Sequence, residues 1–471
     1  MKRHVTRFLA LVLTLGIAAA PTPVFASGFQ LVEQNGAGLG NAFAGQAAGV
    51  TDASAIFYNP AALTSVEKRQ FVISVDGVGV SNKFADTGST RPSLGSLVFP
   101  VPLGGTGGEA GGWTPVPSAY FSWQASPRFW AGLGVGAPFG LKTEWDNDWV
   151  GRFHAVKSEV KTVNVNPTIA VKATDWLSLG VGADYQRLDA ELSQNVGYGG
   201  ISVGVASAAG GPAAAAGILA QLGGPAGLAR EGLGQVKGDD WSWGWNAGVL
   251  ARLGEPGRLG VSYRSKIKHT IEGDASFTGA PTFATQGPLG TLGSALNARF
   301  APGPVSADVD LPDTLSVAAA YLGPKVEVLG DWTWTGWSSL QDLTVVRGND
   351  VELSDVALKF RDTWRVGGGF NYRLNETWKL KLGVAYDKSP VQDLYRTPRL
   401  PDQGRTWVAA GFQARLGKGA VDVGYAHLFI KDASSTLPNQ DAPPLSAPQG
   451  QLVGTYTAKV DIVSVQYRLS F

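Results

Sequence analysis

The chain of 471 residues is long for a single ordinary domain, yet no linker divides it. Charged residues make up only 16%, and 39 Lys+Arg against 38 Asp+Glu leave no basic stripe, which excludes nucleic acid as a partner. The absence of cysteine removes disulfides as a source of stability, and 63 glycines with 15 tryptophans favour many strands and turns over a helical bundle.

Residues 1–26 read as a cleaved secretory signal: Lys2, Arg3 and Arg7 form the positive start, and Phe8 to Ala20 the apolar stretch. Val24-Phe25-Ala26 then offers a cleavage site before Ser27. The alternative, a membrane anchor, meets a run too short to span roughly 30 Å and stopped by Pro21 and Pro23. Residues 27–68 lack regular alternation and carry spaced apolar groups, among them Phe29, Leu31, Leu39, Phe43, Ile56 and Phe57. This segment is too apolar for a disordered tail and too rich in glycine for one regular helix, so a compact plug is expected.

From residue 69 onward the dominant signal has a period of two. Weaker alternating segments occupy Phe71 to Val80, Ser118 to Ala125, Phe129 to Phe139, Val163 to Val171 and Leu177 to Tyr185. Trp241 to Leu253, Leu259 to Ile271, Thr314 to Tyr321 and Val326 to Trp334 follow. Trp364 to Leu374, Trp378 to Asp387, Val408 to Leu416, Val421 to Phe429 and Val463 to Phe471 complete the set. Successive side chains of a strand point to opposite faces, so each segment has one apolar and one polar side. About fourteen strands result, the even number that closed bacterial barrels have. Connections alternate in length: Ser126-Pro127, Thr174-Asp175 and Asn375-Glu376 are short, whereas 194–240 and 275–312 are the main long ones. A soluble sandwich has no reason to segregate loop lengths by parity, but a meander through a membrane does. The only apolar helix-sized stretch after the signal, Ile201 to Gly224, is mostly Ala and Gly and contains Pro212. Any crossing of a membrane is therefore by strands.

The expected architecture is an all-β, 14-stranded antiparallel transmembrane barrel, residues 69–471, with apolar faces toward lipid. Polar faces line a lumen too wide for side chains alone to fill, and residues 27–68 are the available hatch. Lumen-facing basic candidates are Arg264, Lys266, Lys268, Arg365, Arg373, Lys379 and Lys381, with Asn371 beside them.

Ser27-Gly28-Phe29-Gln30-Leu31, Gly38-Leu39-Gly40-Asn41-Ala42 and Tyr58-Asn59-Pro60-Ala61-Ala62-Leu63 resemble the FadL family of outer-membrane long-chain fatty acid transporters, which includes aromatic-hydrocarbon channels. The resemblance continues through Trp243 to Gly248, Tyr263-Arg264-Ser265, Leu311-Pro312, Trp334 to Trp337, Asp387 to Pro390 and Pro401-Asp402, and so covers the whole chain after the signal. It implies the outer membrane of a Gram-negative cell, a hatch-gated channel and no catalysis. Ligand would enter by an apolar groove in the extracellular loops, pass to a lumenal pocket beside the hatch and leave sideways at a kink in the third strand.

On that reading the hatch residues Gly28, Phe29, Leu31, Asn59, Pro60 and Ala61 gate the route. Gly132, Gly134, Gly136 and Pro138 mark the kink, since Gly and Pro weaken strand pairing; a mere curved strand end is the alternative. Ile218, Leu219 and Leu222 are the candidate groove, against a flexible low-complexity loop. Arg264, Lys266, Lys268 and Arg365 are the candidate cations for a carboxylate head group, against simple pairing with Asp or Glu. The C-terminal Phe471 resembles the terminal aromatic that barrels present to the outer-membrane assembly machinery.

His154, His269 and His427 are scattered, and neither a nucleophile elbow nor a phosphate loop is present, so no metal, cofactor or enzymatic activity is expected. Passive uptake of a hydrophobic small molecule follows, long-chain fatty acids first and monoaromatic hydrocarbons second. An open diffusion porin and an outer-membrane lipid hydrolase are readings from other classes. A monomer in contact with outer-membrane lipid and lipopolysaccharide is expected, because fourteen strands close without a partner.

Overall fold

The computed structural model describes residues 28–66, 68–94, 97–348, 351–438 and 449–471; the expected leader, residues 1–26, lies outside them. Fourteen strands in antiparallel order close into one barrel. They are β1 (Arg69–Asp86), β2 (Gly112–Ser126), β3 (Phe129–Gly136, resuming as Gly140–Glu144), β4 (Lys157–Lys172), β5 (Leu177–Val196), β6 (Gly232–Leu253) and β7 (Gly257–Arg264 and Ile267–Phe277). The second half comprises β8 (Gly303–Leu311 and Thr314–Leu322), β9 (Val326–Thr335), β10 (Thr363–Arg373), β11 (Trp378–Asp387), β12 (Arg405–Leu416), β13 (Gly419–Ile430 and Ala433–Leu437) and β14 (Leu452–Ser470). Closure is the ladder from Gln70↔Ser470 to Asp86↔Gly454, which leaves neither β1 nor β14 an edge.

The period-two pattern becomes two chemically distinct walls. Ile73, Val75, Leu133, Val135, Ile169, Val181, Leu382 and Val384 lie exposed on the outside. Trp123, Phe129, Trp176 and Trp378 ring the end with short turns, while Trp113, Trp243, Trp332 and Trp364 ring the other, as interface girdles do. Inside, Ser74, Asn164, Asn166, Asp184, Asn246, Asp422 and Gln466 are buried. Outward apolar residues in a folded chain need an apolar solvent, and lipid is that solvent.

The long loops are shorter than 194–240 and 275–312. The β5–β6 ladder continues to Val196↔Gly232, and β7 pairs with β8 up to Ala275↔Gly303. A membrane crossing needs only about ten residues per strand, so the 20 residues of β5 and 22 of β6 carry the barrel wall well beyond the bilayer. Paired strands there bring Arg187 beside Asp189 and Asp239, a polar outer face that alternation alone could not separate from loop.

β7 also departs from the expected arrangement of faces. Its two segments are joined through Ser265 and Lys266, where the ladder is interrupted, and side-chain parity changes across the break. Arg264 faces inward, but Ile267 and His269 take the inward positions above it. Lys268 is consequently exposed on the outside, and Lys266 pairs at the surface with Asp310 over 3.5 Å. An added residue in one strand reverses the faces of all that follow.

Candidate functional site

Residues 28–66 fill the lumen as short turns: α1 (Gly36–Leu39), α2 (Gln46–Gly49), α3 (Ala55–Tyr58) and a 3-10 turn, Pro60–Ser65. Asn35 caps α1 by accepting from Gly38 N at 2.9 Å. The wall anchors this hatch with polar side chains from many strands. Asn41 Nδ2 donates to Asn371 Oδ1 (2.7 Å) and Leu382 O (3.0 Å), Asn246 Nδ2 to Ile56 O (3.0 Å), and Lys381 Nζ to Ala37 O (2.8 Å). Asn59 Nδ2 donates to Ala47 O (2.6 Å) and to Val249 O of β6 (3.0 Å), while its Oδ1 accepts from Ala61 N. Pro60 and Ala61 lie so close to Gly180 of β5 that a Cβ there would overlap their backbone, and Gly248 of β6 leaves the same room for Asn59. Asn59, Pro60 and Ala61 therefore anchor the base of the hatch and stand away from the cavity described below.

The N-terminal part of the hatch closes a gap in the wall. β2 and β3 pair up to Ala119↔Val135. Beyond that point β3 breaks at Ala137–Phe139, and its second segment pairs only with β4. Pro115 and Pro117 occupy β2 opposite the missing partner, where the absence of an N–H costs no ladder bond. The hatch supplies the replacement contacts: Leu31 N donates to Pro138 O (2.8 Å), Gly140 N to Phe29 O (2.9 Å), and Gln34 Nε2 to Ala137 O (2.8 Å). Ser118 and Tyr120 of β2 in turn donate to Gln34 O at 3.0 and 2.7 Å. Of the glycines expected to mark a kink, Gly132 and Gly134 sit in regular ladder; a Cβ at either would press on Ile56 of α3. Only Gly136 and Pro138 adjoin the break.

Above the hatch lies an apolar cavity of about 110 Å³. Phe29 forms its floor, and Leu141, Val160, Leu188, Ile271, Val309 and Phe360 are among its walls. Phe29 is wedged between Phe139 at the break (5.9 Å between ring centroids) and Trp337 (4.9 Å). Gly28 adopts φ 62°, and its N–H donates to Asp402 Oδ2 at 3.2 Å. Asp402 is also held by Ser389 and Arg405. The cavity thus touches both hatch and break through one aromatic ring.

One cation at this cavity went unnoticed in the sequence. Arg399, between Pro398 and Leu400, lines the cavity and is buried. It donates to Ser158 Oγ (3.0 Å), Gln194 Oε1 (2.6 Å) and the carbonyls of Lys157 and Ser193, all neutral acceptors. Among the described residues the other buried cations all have carboxylate partners: Arg152 with Glu231, Arg264 with Asp184, Arg365 with Asp331, Lys381 with Asp422, Arg396 with Asp393 and Arg405 with Asp402. Burial without such a partner pulls the Arg399 guanidinium down to about 10, still protonated at neutral pH. Its signal was faint: it adjoins the Pro401-Asp402 motif, in a stretch without strand periodicity.

The cations expected from the sequence have other roles. Arg264 is paired with Asp184, donates to Phe57 O at 3.0 Å and lies over the Phe57 ring. Arg365 donates to Ala42 O and Asp331. Both hold the hatch and line a second, polar cavity rather than the apolar one. Lys266 and Lys268, as described, are outside. Ile218 and Leu222 of the long loop helix α4 (Tyr198–Gln221, kinked at Gly210 and Gly211) are buried with Phe99, Val101, Leu228 and Phe283 in a loop core rather than open to a groove, and Leu219 packs half-buried against it.

The sequence profile of the outer membrane transport proteins described as OMPP1/FadL/TodX matches residues 17–471. The chain is 32% identical to a putative outer membrane protein of Neisseria meningitidis serogroup B, covering 98% of each. It is 27% identical to the long-chain fatty acid transport protein of Escherichia coli K12, covering 90% of this chain and 92% of that one. The crystal structure of a Pseudomonas aeruginosa FadL homologue superposes with a TM-score of 0.80 at 27% identity, over 94% of this chain and all of the other. The toluene transporter TbuX of Ralstonia pickettii shares the fold with a TM-score of 0.62 at 18% identity, over 95% of this chain and 100% of that one. A lumen filled by residues 28–66, a wall broken at Ala137–Phe139 and a family match over residues 17–471 agree: the chain belongs to the OMPP1/FadL/TodX family and is a transport protein of the Gram-negative outer membrane, not an enzyme.

Proposed function

We propose that this channel for hydrophobic compounds carries long-chain fatty acids. The observation behind this reading is Arg399, a buried cation without a carboxylate partner among the described residues, on the wall of an otherwise apolar cavity. A fatty acid offers what that site lacks. Each buried methylene contributes about 0.8 kcal/mol, and the carboxylate meets a guanidinium in a setting where charge–charge attraction is weakly screened. Capture begins at the loop core of α4 and α5 (Gly290–Arg299), where half-buried Leu219, Leu289 and Leu292 leave apolar surface at the rim. The ligand then displaces Phe29 and leaves toward lipid through the β2–β3 gap, with Leu31, Gly136 and Pro138 at the exit.

The alternative substrate, a monoaromatic hydrocarbon, is favoured by size: about 110 Å³ is nearer to the engineered cavities of roughly 150 Å³ that take benzene than to a whole acyl chain. Titration of the purified protein with laurate and toluene separates the two. If fatty acid is the ligand, Arg399→Ala weakens laurate binding about tenfold or more and leaves toluene unchanged; equal laurate affinity in the variant would overturn the reading. An open diffusion porin finds no support in a filled lumen. We further propose that the barrel acts as a monomer among lipid and lipopolysaccharide. Phe471, exposed and paired through its backbone with Arg69, serves as the assembly signal.

A further inference from the structure

A second cavity, of about 100 Å³, lies between the hatch and the inner faces of β7 to β11. The strand-like segment Phe29–Leu31 separates it from the rest of the lumen: Phe29 faces the apolar cavity, whereas Gln30 and Leu31 line this one. Its composition differs from the first. The barrel side is a wall of hydroxyls, including Ser262, Thr314, Ser316, Thr333, Thr335 and Thr363. The hatch side presents the rings of Phe43 and Phe57.

We propose that this chamber is a binding subsite for a small neutral molecule carrying a hydroxyl group on a flat apolar frame. Charge decides against an ion. The two guanidiniums at the chamber, Arg264 and Arg365, are already matched by Asp184 and Asp331, and Asp387 also lines it. An added anion finds no uncompensated cation here, in contrast to the surroundings of Arg399. Polarity decides against a pure hydrocarbon. Ser316 and Thr333, both on the lining, are only half-buried and carry hydroxyls at the chamber. Covering such groups with hydrocarbon leaves their desolvation uncompensated. A hydroxyl both donates and accepts, so it exchanges with the Ser316–Thr333 pair, whose hydroxyls stand 2.9 Å apart. The Phe43 and Phe57 rings supply a flat apolar counterpart. The enclosed space of about 100 Å³ is filled by a single small ring.

The test uses full-length protein in detergent and phenol as the probe, followed by saturation-transfer NMR and calorimetry. Phenol is expected to bind saturably. Thr333→Val and Ser316→Ala are each expected to weaken it about tenfold, with unchanged thermal stability of the barrel and unchanged laurate binding. Arg399→Ala leaves phenol affinity as it was, which separates this subsite from the fatty acid cavity. Toluene, which lacks the hydroxyl, is indifferent to either hydroxyl substitution. Binding of phenol that never saturates, that survives both substitutions, or that is lost in Arg399→Ala would overturn the proposal; water would then be the chamber's only occupant.

Discussion

Leu31 donates its backbone N–H to the carbonyl of Pro138 over 2.8 Å, so the hatch itself completes the wall where β3 has lost its neighbour. On the proposed route plug and gate are thus one object: a motion that frees Leu31 is expected also to unseal the barrel toward lipid. Gln30 and Phe139 stand opposite each other as antiparallel bridge partners in that contact.

That relationship can be locked. Antiparallel partners place their Cα atoms about 4.5–5.5 Å apart, within the range a disulfide spans, and the chain has no cysteine to interfere. Gln30→Cys combined with Phe139→Cys should abolish uptake of a fluorescent fatty acid when oxidised, with recovery on adding reductant. Undiminished uptake by the fully oxidised protein would mean that ligand leaves by another route.

Asn59 and Gly248 test the anchor at the other end of the hatch. Asn59→Ala takes a hydrogen-bond donor from the carbonyls of Ala47 and Val249, and Gly248→Ala drives a methyl into Asn59. Each is expected to cost about 1–3 kcal/mol. Amide exchange should accelerate across residues 36–66 while the strands stay protected. The double variant should cost less than the sum, because both changes break one contact; strict additivity would show that the two residues act separately.

Glu33 is expected to make the hatch sensitive to pH. It is fully buried, and neither carboxylate oxygen has a hydrogen-bond partner among the described residues. Burial pushes its carboxyl up to about 7, with Asp387 adding to the rise and its own nearby backbone amide, Arg405 and Arg365 opposing it. A carboxyl raised in the closed hatch favours closure when protonated, so closure is firmest below its ordinary range near 4.5 and weakens as pH climbs through about 7. Hatch amides should therefore exchange faster, and uptake rise, between pH 5 and pH 8, by roughly one to two orders of magnitude at most. Glu33→Gln should flatten the profile; an unchanged slope in that variant would assign the titration elsewhere.

Lys381 joins wall and hatch, with Nζ 2.6 Å from Asp422 Oδ1 and 2.8 Å from Ala37 O. Lys381→Met leaves Asp422 as a buried charge served, among the described residues, only by Gln413. A loss of about 3–5 kcal/mol is expected, visible as a lower unfolding temperature. Adding Asp422→Asn should restore much of it, and no recovery in the double variant would argue that the contact to Ala37 carries the effect.

The sequence by itself determined the barrel. Alternation with a period of two is a property of neighbouring residues, so Trp364 to Leu374 or Val463 to Phe471 declare both strand and outward face without distant contacts. Loop parity gave the meander, and the non-alternating stretch before Arg69 gave the plug. Only the tertiary structure decided where function sits, because that depends on residues remote in the chain. An interruption at Ser265 and Lys266 turned Lys268 outward, which no local pattern signals. Arg264 and Arg365 looked like free lumenal cations until Asp184 and Asp331, on other strands, were found beside them. Arg399 looked like loop until folding brought it to the apolar cavity with no carboxylate partner within ion-pair distance among the described residues. Strand faces follow from local sterics, whereas charge compensation and cavity shape follow from which distant groups the closed barrel places together.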